Sequence, residues 1–191
     1  DLQALFMSAL SQTRMARGGL FDQVGGGYFR YCVDATWTIP HFEKMLYDNG
    51  QLLALNAATF QATGDALFGA AARATADWML RDMRHDDGGF FATIDADSED
   101  GEGAYYTFTP DELRAALATE DAALAVKTFG LDRSPNFEGR WHLQLAATPA
   151  ELAEETDAPG QSLEARLSGI RASLATARGA RPAPGRDEKI L

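Results

Sequence analysis

The stretch Gly18–Asn49, GGLFDQVGGGYFRYCVDATWTIPHFEKMLYDN, decides how the rest of the chain is interpreted. It contains the protein's only cysteine, one of its three histidines, and runs of glycine beside aromatic residues. Because glycine adopts backbone conformations that other residues avoid, this composition indicates a connection rather than a helix. We predict a short strand over 27–33, followed by a helix over about 40–62 that Thr38 caps and Pro40 begins.

The sequence on either side of this stretch predicts mostly helices. Apolar residues recur at helical spacing in the segments 1–17, 66–84 and 163–177. Two Thr-Pro-x-Glu motifs, at Thr109 and Thr148, combine a capping threonine with proline at the first helical position. They predict helix starts, and a further helix is expected around 122–129.

Short strands and a tail complete the expected elements. The segment 89–95 follows Gly88-Gly89 and is aromatic at its start, so we predict a strand that pairs with an antiparallel partner over 104–109. The tail RGARPAPGRDEKIL, from Arg178 onward, is punctuated by proline and glycine. It is predicted to be a loop that turns helical only at its end.

A short internal echo supports a repeated architecture. The sequence Gly26-Gly27-Tyr28-Phe29 recurs as Gly88-Gly89-Phe90-Phe91, each time after a predicted helix. Repetition of helix, glycine-aromatic loop and helix is typical of stacked αα-hairpins, whose units cannot bury their apolar faces alone. The expected fold class is therefore mainly α, built from αα-hairpins with short β-hairpin insertions.

Composition excludes several classes of function. The chain has 191 residues, is 46% apolar and carries a formal net charge of −11. Such acidity disfavours a nucleic-acid groove and an anionic membrane surface, and no apolar run is long enough to span a membrane. A single cysteine permits neither an internal disulfide nor a Cys-x-x-Cys site. We expect a cytoplasmic protein without a cofactor.

The acidic loop from Asp95 to Glu102 invites comparison with a calcium site. An EF-hand loop requires glycine at its sixth position and glutamate at its twelfth, whereas counting from Asp95 gives Asp100 and Tyr106. Three interpretations are left: the tip of a hairpin, the wall of a substrate cleft, or a metal site of another kind. We predict no metal site.

His41 and Glu43 form the beginning of a zinc deaminase signature, which a chain with one cysteine cannot complete. On a helix these two side chains would point about 200° apart, so they could not easily share a ligand. His41 is either a general base or a histidine bonded within the structure. Cys32 is expected to be a small buried hydrophobe rather than a nucleophile, and Asn49 and Asn56 to hold loop backbone.

Polar groups set among aromatic residues suggest a carbohydrate ligand. Proteins hold sugars with aromatic faces and planar polar side chains; glycosidic cleavage uses two carboxylates, and epimerisation uses a base. The candidates for acid or base are His41, Asp34, Asp22, Asp95 and Asp97. The candidates for substrate binding are Arg30, Trp37, Glu43, Gln23, Tyr31 and Glu99. The expected ligand is a carbohydrate or a sugar phosphate.

Several of these motifs resemble one family. They are GGLFDQVGGGYFRY, WTIPHFEKMLYDN, DADSEDGEGAYYTFTPDEL, NFEG at Asn136 and the closing RPAPGRDEKIL. Together they are similar to the YyaL-type family, also called the spermatogenesis-associated, thioredoxin-domain-containing family. Where this chain has Cys32, the family usually has serine, so the resemblance argues against a thiolate nucleophile.

The resemblance implies an (α/α)6 toroid of the six-hairpin, epimerase- and glycosidase-like kind, preceded by a thioredoxin-like domain. It implies that 1–191 is a fragment of a single α/α-toroid domain, without the thioredoxin-like domain. The corresponding activity would be that of a sugar epimerase or glycosidase. The alternative is a non-catalytic toroid that binds a ligand or partner for the attached domain. Because too few hairpins are present to close a ring, exposed apolar faces should make the chain self-associate.

Overall fold

A computed structural model describes residues 1–156 and 160–191, and about half of the chain is helical. The α-helices within these ranges are α1 (Leu2–Arg17), α2 (Leu46–Thr63), α3 (Ala66–Trp78), α4 (Pro110–Ala116), α5 (Thr119–Phe129), α6 (Pro149–Thr156) and α7 (Gly160–Gly179), and a π-helical turn over Met79–Met83 continues α3. The strands are β1 (Tyr31–Cys32), β2 (Pro40–His41), β3 (Lys44–Met45), β4 (Phe91–Ile94), β5 (Asp97–Ser98), β6 (Gly101–Glu102) and β7 (Arg186–Ile190). The expected mainly α class is confirmed.

Local capping explains where several of the predicted helices begin. Thr109 accepts a hydrogen bond from the backbone of Glu112, whose carboxylate accepts one from the backbone of Thr109 in return. Thr148 and Glu151 make the same reciprocal pair before α6. Each pair satisfies donors that a helix start would otherwise leave unbonded, so both predicted starts are confirmed.

The predicted helix over 40–62 is wrong in its first turns. Pro40–His41 pairs antiparallel with β1, Lys44–Met45 pairs with β4, and α2 begins only at Leu46. Thr38 does not cap a helix, because the segment that follows it is the strand Pro40–His41. Its backbone amide donates to the carboxylate of Asp34. The backbone groups of the segment before Leu46 are bonded to neighbouring strands, which an isolated sequence cannot reveal.

The expected hairpin between 89–95 and 104–109 is also wrong. β4 pairs on one side with β3 and on the other with β7, so the tail ends in a strand rather than a helix. The segment 104–109 forms only an isolated bridge, between Phe108 and Trp141. The central strand thus joins pieces of chain from three distant parts of the sequence.

The internal echo has a structural counterpart. Gly26, Gly27, Gly88 and Gly89 all have positive φ, which L-residues rarely adopt. After each pair the chain forms a single antiparallel bridge, Phe21 to Tyr28 in one case and Arg84 to Phe90 in the other. The two glycine pairs therefore make equivalent reversals after helices.

Two of the hydrophobic clusters in the described part of the chain contain aromatic residues from the loops between helices. Leucines of α7 and α4 pack with Phe108 and Phe129 in one of them. Phe29, Phe42, Ala96 and Tyr106 form the other, in which the aromatic rings meet edge to face or stacked. Lys44 and the end of α7 lie beside this aromatic cluster. In the described ranges, no helix is both long and apolar enough to cross a membrane.

Candidate functional site

A buried cluster of three charged side chains joins the opening stretch to α7. The carboxylate of Asp22 accepts a hydrogen bond from Lys44 Nζ at 2.8 Å. It also accepts a bidentate pair from Arg178, at 2.7 Å from Nη1 and 3.0 Å from Nη2. All three side chains are buried. Two cations thus face one carboxylate away from solvent.

The extended backbone before α2 aims Lys44 inward. From Pro40 to Lys44 burial alternates, with Pro40, Phe42 and Lys44 buried while His41 and Glu43 are partly exposed. This is the period of a strand, in which neighbouring side chains point to opposite faces. The ammonium of Lys44 then meets Asp22 and the carbonyl oxygen of Gly26.

The glycine run allows the loop to approach this cluster. A Cβ atom at Gly25 would lie 2.8 Å from Asp22 Oδ2 and 3.0 Å from Arg178 Nη1. The backbone amides of Val24 and Gly25 both donate to the carboxylate of Asp22. A side chain at Gly25 would therefore displace the bidentate pair.

Burial and charge set the pKa values in the cluster. Burial works to raise the pKa of Asp22, but Arg178 and Lys44 hold it well below its usual value. Burial lowers the pKa of Lys44 to about 8, against the opposing effect of Asp22. Asp22 is thus ionised near neutral pH, whereas Lys44 can exchange a proton there.

The cluster forms one wall of the largest cleft described, with a volume of about 780 Å³. Aromatic rings and charged groups line it: Trp78, Tyr105, Tyr106, Arg81, Asp82, Arg186 and Glu188. Arg178 lies over the rings of Tyr105 and Tyr106, at 5.7 and 5.3 Å from their centroids. Its Nε atom is buried and has no hydrogen-bond partner in the described part of the chain.

The predicted residues around His41 lie together, but outside this cleft. Arg30 Nη1 pairs with Glu43 Oε2 at 2.9 Å. His41 Nδ1 lies 2.8 Å from Glu102 Oε1, and the Tyr31 ring stacks on the His41 ring. His41 lies in β2 rather than in the first turn of the predicted helix over 40–62, so its predicted position is wrong. His41 and Glu43 share a face because the backbone is extended there.

Asp34 holds its own loop. Its carboxylate accepts hydrogen bonds from the backbone amides of Thr36, Thr38 and Ile39. Burial works to raise the pKa of Asp34, but these bonds and one from the Thr36 hydroxyl lower it to about 2. A carboxylate held in this way is a structural acceptor, since it neither gives nor takes a proton near neutral pH.

The acidic loop forms the tip of a hairpin. β5 and β6 pair antiparallel, with Asp97 opposite Glu102, and Glu99 lies exposed between the strands. The Asp95 carboxylate accepts a hydrogen bond from the backbone of Ala96. None of these acidic residues lines the largest cleft, and no group of side chains suited to a metal ion occurs among the described residues.

The remaining predicted residues divide between structure and surface. Gln23 is buried and donates to the backbone of Ala16, whereas Trp37 is exposed with a φ of 58°. Burial raises the pKa of Cys32 to about 11, which disfavours a thiolate. Asn49 bonds both the amide and the carbonyl of Tyr28, so it holds loop backbone as predicted.

Of the eleven predicted site residues, only Asp22 lines the largest cleft. Its partners Lys44 and Arg178 were missed, as were Tyr105 and Tyr106. The burial of Lys44 could have been inferred from the alternation Pro40-His-Phe-Glu-Lys, had that segment been interpreted as a strand. Nothing local distinguishes Arg178 from the other basic residues of its helix.

Comparison with known proteins finds relatives along almost the whole chain. Spermatogenesis-associated protein 20 of Homo sapiens is 35% identical and that of Rattus norvegicus 37% identical, each over 93% of this chain. An uncharacterized protein of Caenorhabditis elegans is 29% identical over 93% of it. The chain spans about a quarter of the length of these curated relatives (26% of the human protein). No family model matches the chain.

Proposed function

We propose that this chain, a relative of spermatogenesis-associated protein 20, binds a carbohydrate in the cleft beside Asp22, Lys44 and Arg178. The proposal extends to catalysis: the cleft would serve a sugar epimerase or isomerase, with Lys44 as the group that moves a proton. The presence of aromatic rings and fixed polar donors in one cleft supports the carbohydrate proposal.

The observation that carries the proposal is the unpaired Nε–H of Arg178. The other nitrogen atoms of the guanidinium bind Asp22, and the side chain is only 6% exposed. A buried donor without an acceptor costs free energy, of order 1–3 kcal/mol. A ligand hydroxyl or carboxylate oxygen in the cleft would provide the missing acceptor.

Aromatic rings provide the second part of a sugar site. Tyr105, Tyr106 and Trp78 line the same cleft as Arg178. The apolar faces of sugar rings pack on such surfaces, while the hydroxyl groups bond to fixed polar groups. Arg81 and Arg186 also line the cleft, each beside a carboxylate that compensates its charge.

The charges in the cleft favour an epimerase over a glycosidase. Glycosidic cleavage needs a carboxylic acid with a raised pKa beside a second carboxylate. Here each lining carboxylate faces a cation: Asp22 pairs with Lys44 and Arg178, Asp82 with Arg81, and Glu188 with Arg186. Lys44, whose pKa is about 8, is the better proton carrier.

One observation favours the non-catalytic alternative. The Lys44 side chain is only 2% exposed, and its ammonium is bonded to Asp22 and to Gly26. If Lys44 stays in these bonds when a ligand is present, the cleft binds without catalysing. The chain would then be a ligand- or partner-binding module.

The wider architecture belongs to the same proposal. We infer that the hairpins form part of an (α/α)6 toroid in a cytoplasmic protein that also carries a thioredoxin-like domain. The pairing of α2 with α3 across the short Gly64-Asp65 connection is the observation in its favour.

Binding is tested by titrating the protein with neutral, acidic and phosphorylated sugars and measuring the heat released. We expect saturable binding that Tyr105→Ala weakens about fivefold, because a stacking ring is lost. Tyr47→Ala, which removes an exposed tyrosine outside the cleft, is the matched control. Binding unaffected by Tyr105→Ala, or no binding of any sugar, would overturn the proposal.

Catalysis is tested separately, by incubating a bound sugar with the protein in deuterated water. An epimerase that abstracts a proton beside a carbonyl introduces deuterium at that carbon, and Lys44→Gln should abolish the exchange. Binding without exchange would reject the epimerase and leave the binding module.

A further inference from the structure

A second cleft, of about 620 Å³, lies on another part of the molecule. One wall is a face of α1, another is the loop around Thr36 and Thr38, and the third is the segment from Phe129 to Ala146. It shares no lining residue with the cleft beside Asp22. Variants of the two clefts can therefore test the two proposals separately.

This second cleft is basic in a strongly acidic protein. The net charge of the chain is −11, yet three arginines line the cleft and none of its described lining residues is acidic. The arginines come from separate elements: Arg14 and Arg17 are in α1, and Arg133 follows α5.

The three arginines differ in their hydrogen bonds and ion pairs. Arg17 makes a bidentate pair with Glu151 and also donates to the carbonyl oxygen atoms of Leu145 and Ala146, so its charge is already compensated. The guanidinium groups of Arg14 and Arg133 make no hydrogen bond or ion pair within residues 1–156 and 160–191. These two cations are free to meet an anion.

His142 adds a buried polar group to the wall. His142 is only 4% exposed, and its Nε2–H donates to the carbonyl oxygen of Gly19 at 2.7 Å. The other ring nitrogen, Nδ1, is buried and has no partner in the described part of the chain. With Nε2–H as the donor, Nδ1 is an acceptor that a ligand hydroxyl can satisfy.

The walls are held in place by bonds that do not use these groups. Asp34 fixes the backbone of the loop from Thr36 to Ile39. Asn136 bonds both the amide and the carbonyl of His142. A rigid cleft binds a ligand without having to order its own backbone first.

We propose that this second cleft binds the phosphate group of a small phosphorylated molecule. Arg14 and Arg133 hold the phosphate oxygens, and an adjoining hydroxyl of the ligand donates to His142 Nδ1. Arginine suits this role because its planar fork matches two phosphate oxygens at once. The indole of Trp141, which also lines the cleft, packs against the rest of the ligand.

The test titrates the 191-residue protein with inorganic phosphate and with glucose 6-phosphate at low ionic strength, measuring heat. We expect saturable binding that Arg14→Gln combined with Arg133→Gln weakens at least about tenfold. Neither arginine has a partner to lose, so the double variant should fold, which circular dichroism verifies. Arg73→Gln combined with Arg84→Gln is the control, because it removes two exposed arginines outside the clefts described.

The probes also separate two sources of the anion. Tighter binding of glucose 6-phosphate than of phosphate supports a phosphorylated sugar, and equal binding supports the free ion. Binding that the Arg14 and Arg133 double variant retains would overturn the site. Equal loss in both double variants would also overturn it, because it would show a general effect of charge.

Discussion

At the scale of single residues, the direction of a side chain depends on whether the backbone is helical or extended. His41 and Glu43 would point apart on a helix, but they share a face here because the chain is extended from Pro40 to Lys44. The same periodicity turns Lys44 inward to Asp22. Because a helix is predicted where the chain is extended, the sequence points to His41 on the surface rather than to Lys44 in the buried ion cluster.

Because His142 is buried, we predict that the protein loses stability in mild acid. Burial lowers the pKa of the His142 imidazole from the usual value of about 6.5 to about 4. Between these values the unfolded chain binds a proton that the folded protein excludes, so the free energy of unfolding falls as the pH drops. From pH 6.5 to pH 4 the loss should be about 3 kcal/mol, since each pKa unit corresponds to about 1.4 kcal/mol.

Urea denaturation at a series of pH values measures this loss. His142→Gln cannot titrate, so most of the slope in this window should disappear. His85→Gln, at a partly exposed histidine, is the control and should keep the parent's slope. An unchanged slope in His142→Gln would show that other groups cause the acid sensitivity.

At the scale of elements, the glycine pairs are the feature that the sequence showed most clearly. Both pairs adopt positive φ, and each ends in a single bridge that starts an aromatic segment. The conformation is required by local sterics, which is why the residue type alone reveals it. The pairing of β4 with β3 and β7 has no such local signal, so the sequence predicts the wrong partner, the segment 104–109.

Gly27→Ala should destabilise the protein by about 2 kcal/mol or more. Gly27 has a φ of 80°, and an added Cβ atom would lie 2.7 Å from the ring of Trp78. Both the backbone strain and the overpacking oppose the change. Gly88→Ala is the control, since Gly88 also has positive φ but nothing within 4 Å of an added Cβ.

Chemical denaturation of both glycine variants separates the two causes. Gly88→Ala reports the strain alone, and the excess in Gly27→Ala reports the contact with Trp78. Equal destabilisation of the two variants would show that the ring moves aside without cost.

At the scale of the whole molecule, an exposed apolar stripe on α1 predicts self-association. Leu2, Phe6 and Leu10 follow one another at four-residue spacing and are 85%, 64% and 43% exposed. Residues four apart lie on one face of a helix, so these side chains form a continuous surface. Burying each against a second chain would gain about 1.5–3 kcal/mol before the costs of association.

Sedimentation velocity over a range of protein concentrations measures this association. Phe6→Glu should shift the protein toward monomer, whereas Gln3→Glu, which adds the same charge at another exposed position on α1, should not. A parent chain that stays monomeric at all concentrations would contradict the prediction.

The sequence by itself determined the features that depend on neighbours three or four residues away. The capping pairs at Thr109 and Thr148 and the glycine reversals belong to this group, because their hydrogen bonds and steric limits lie within one turn of chain. Only the tertiary structure decided which residues form the buried ion cluster. Arg178 meets Asp22 across 156 positions of sequence. Such a contact depends on how α7 packs against the opening stretch, and no local pattern encodes it.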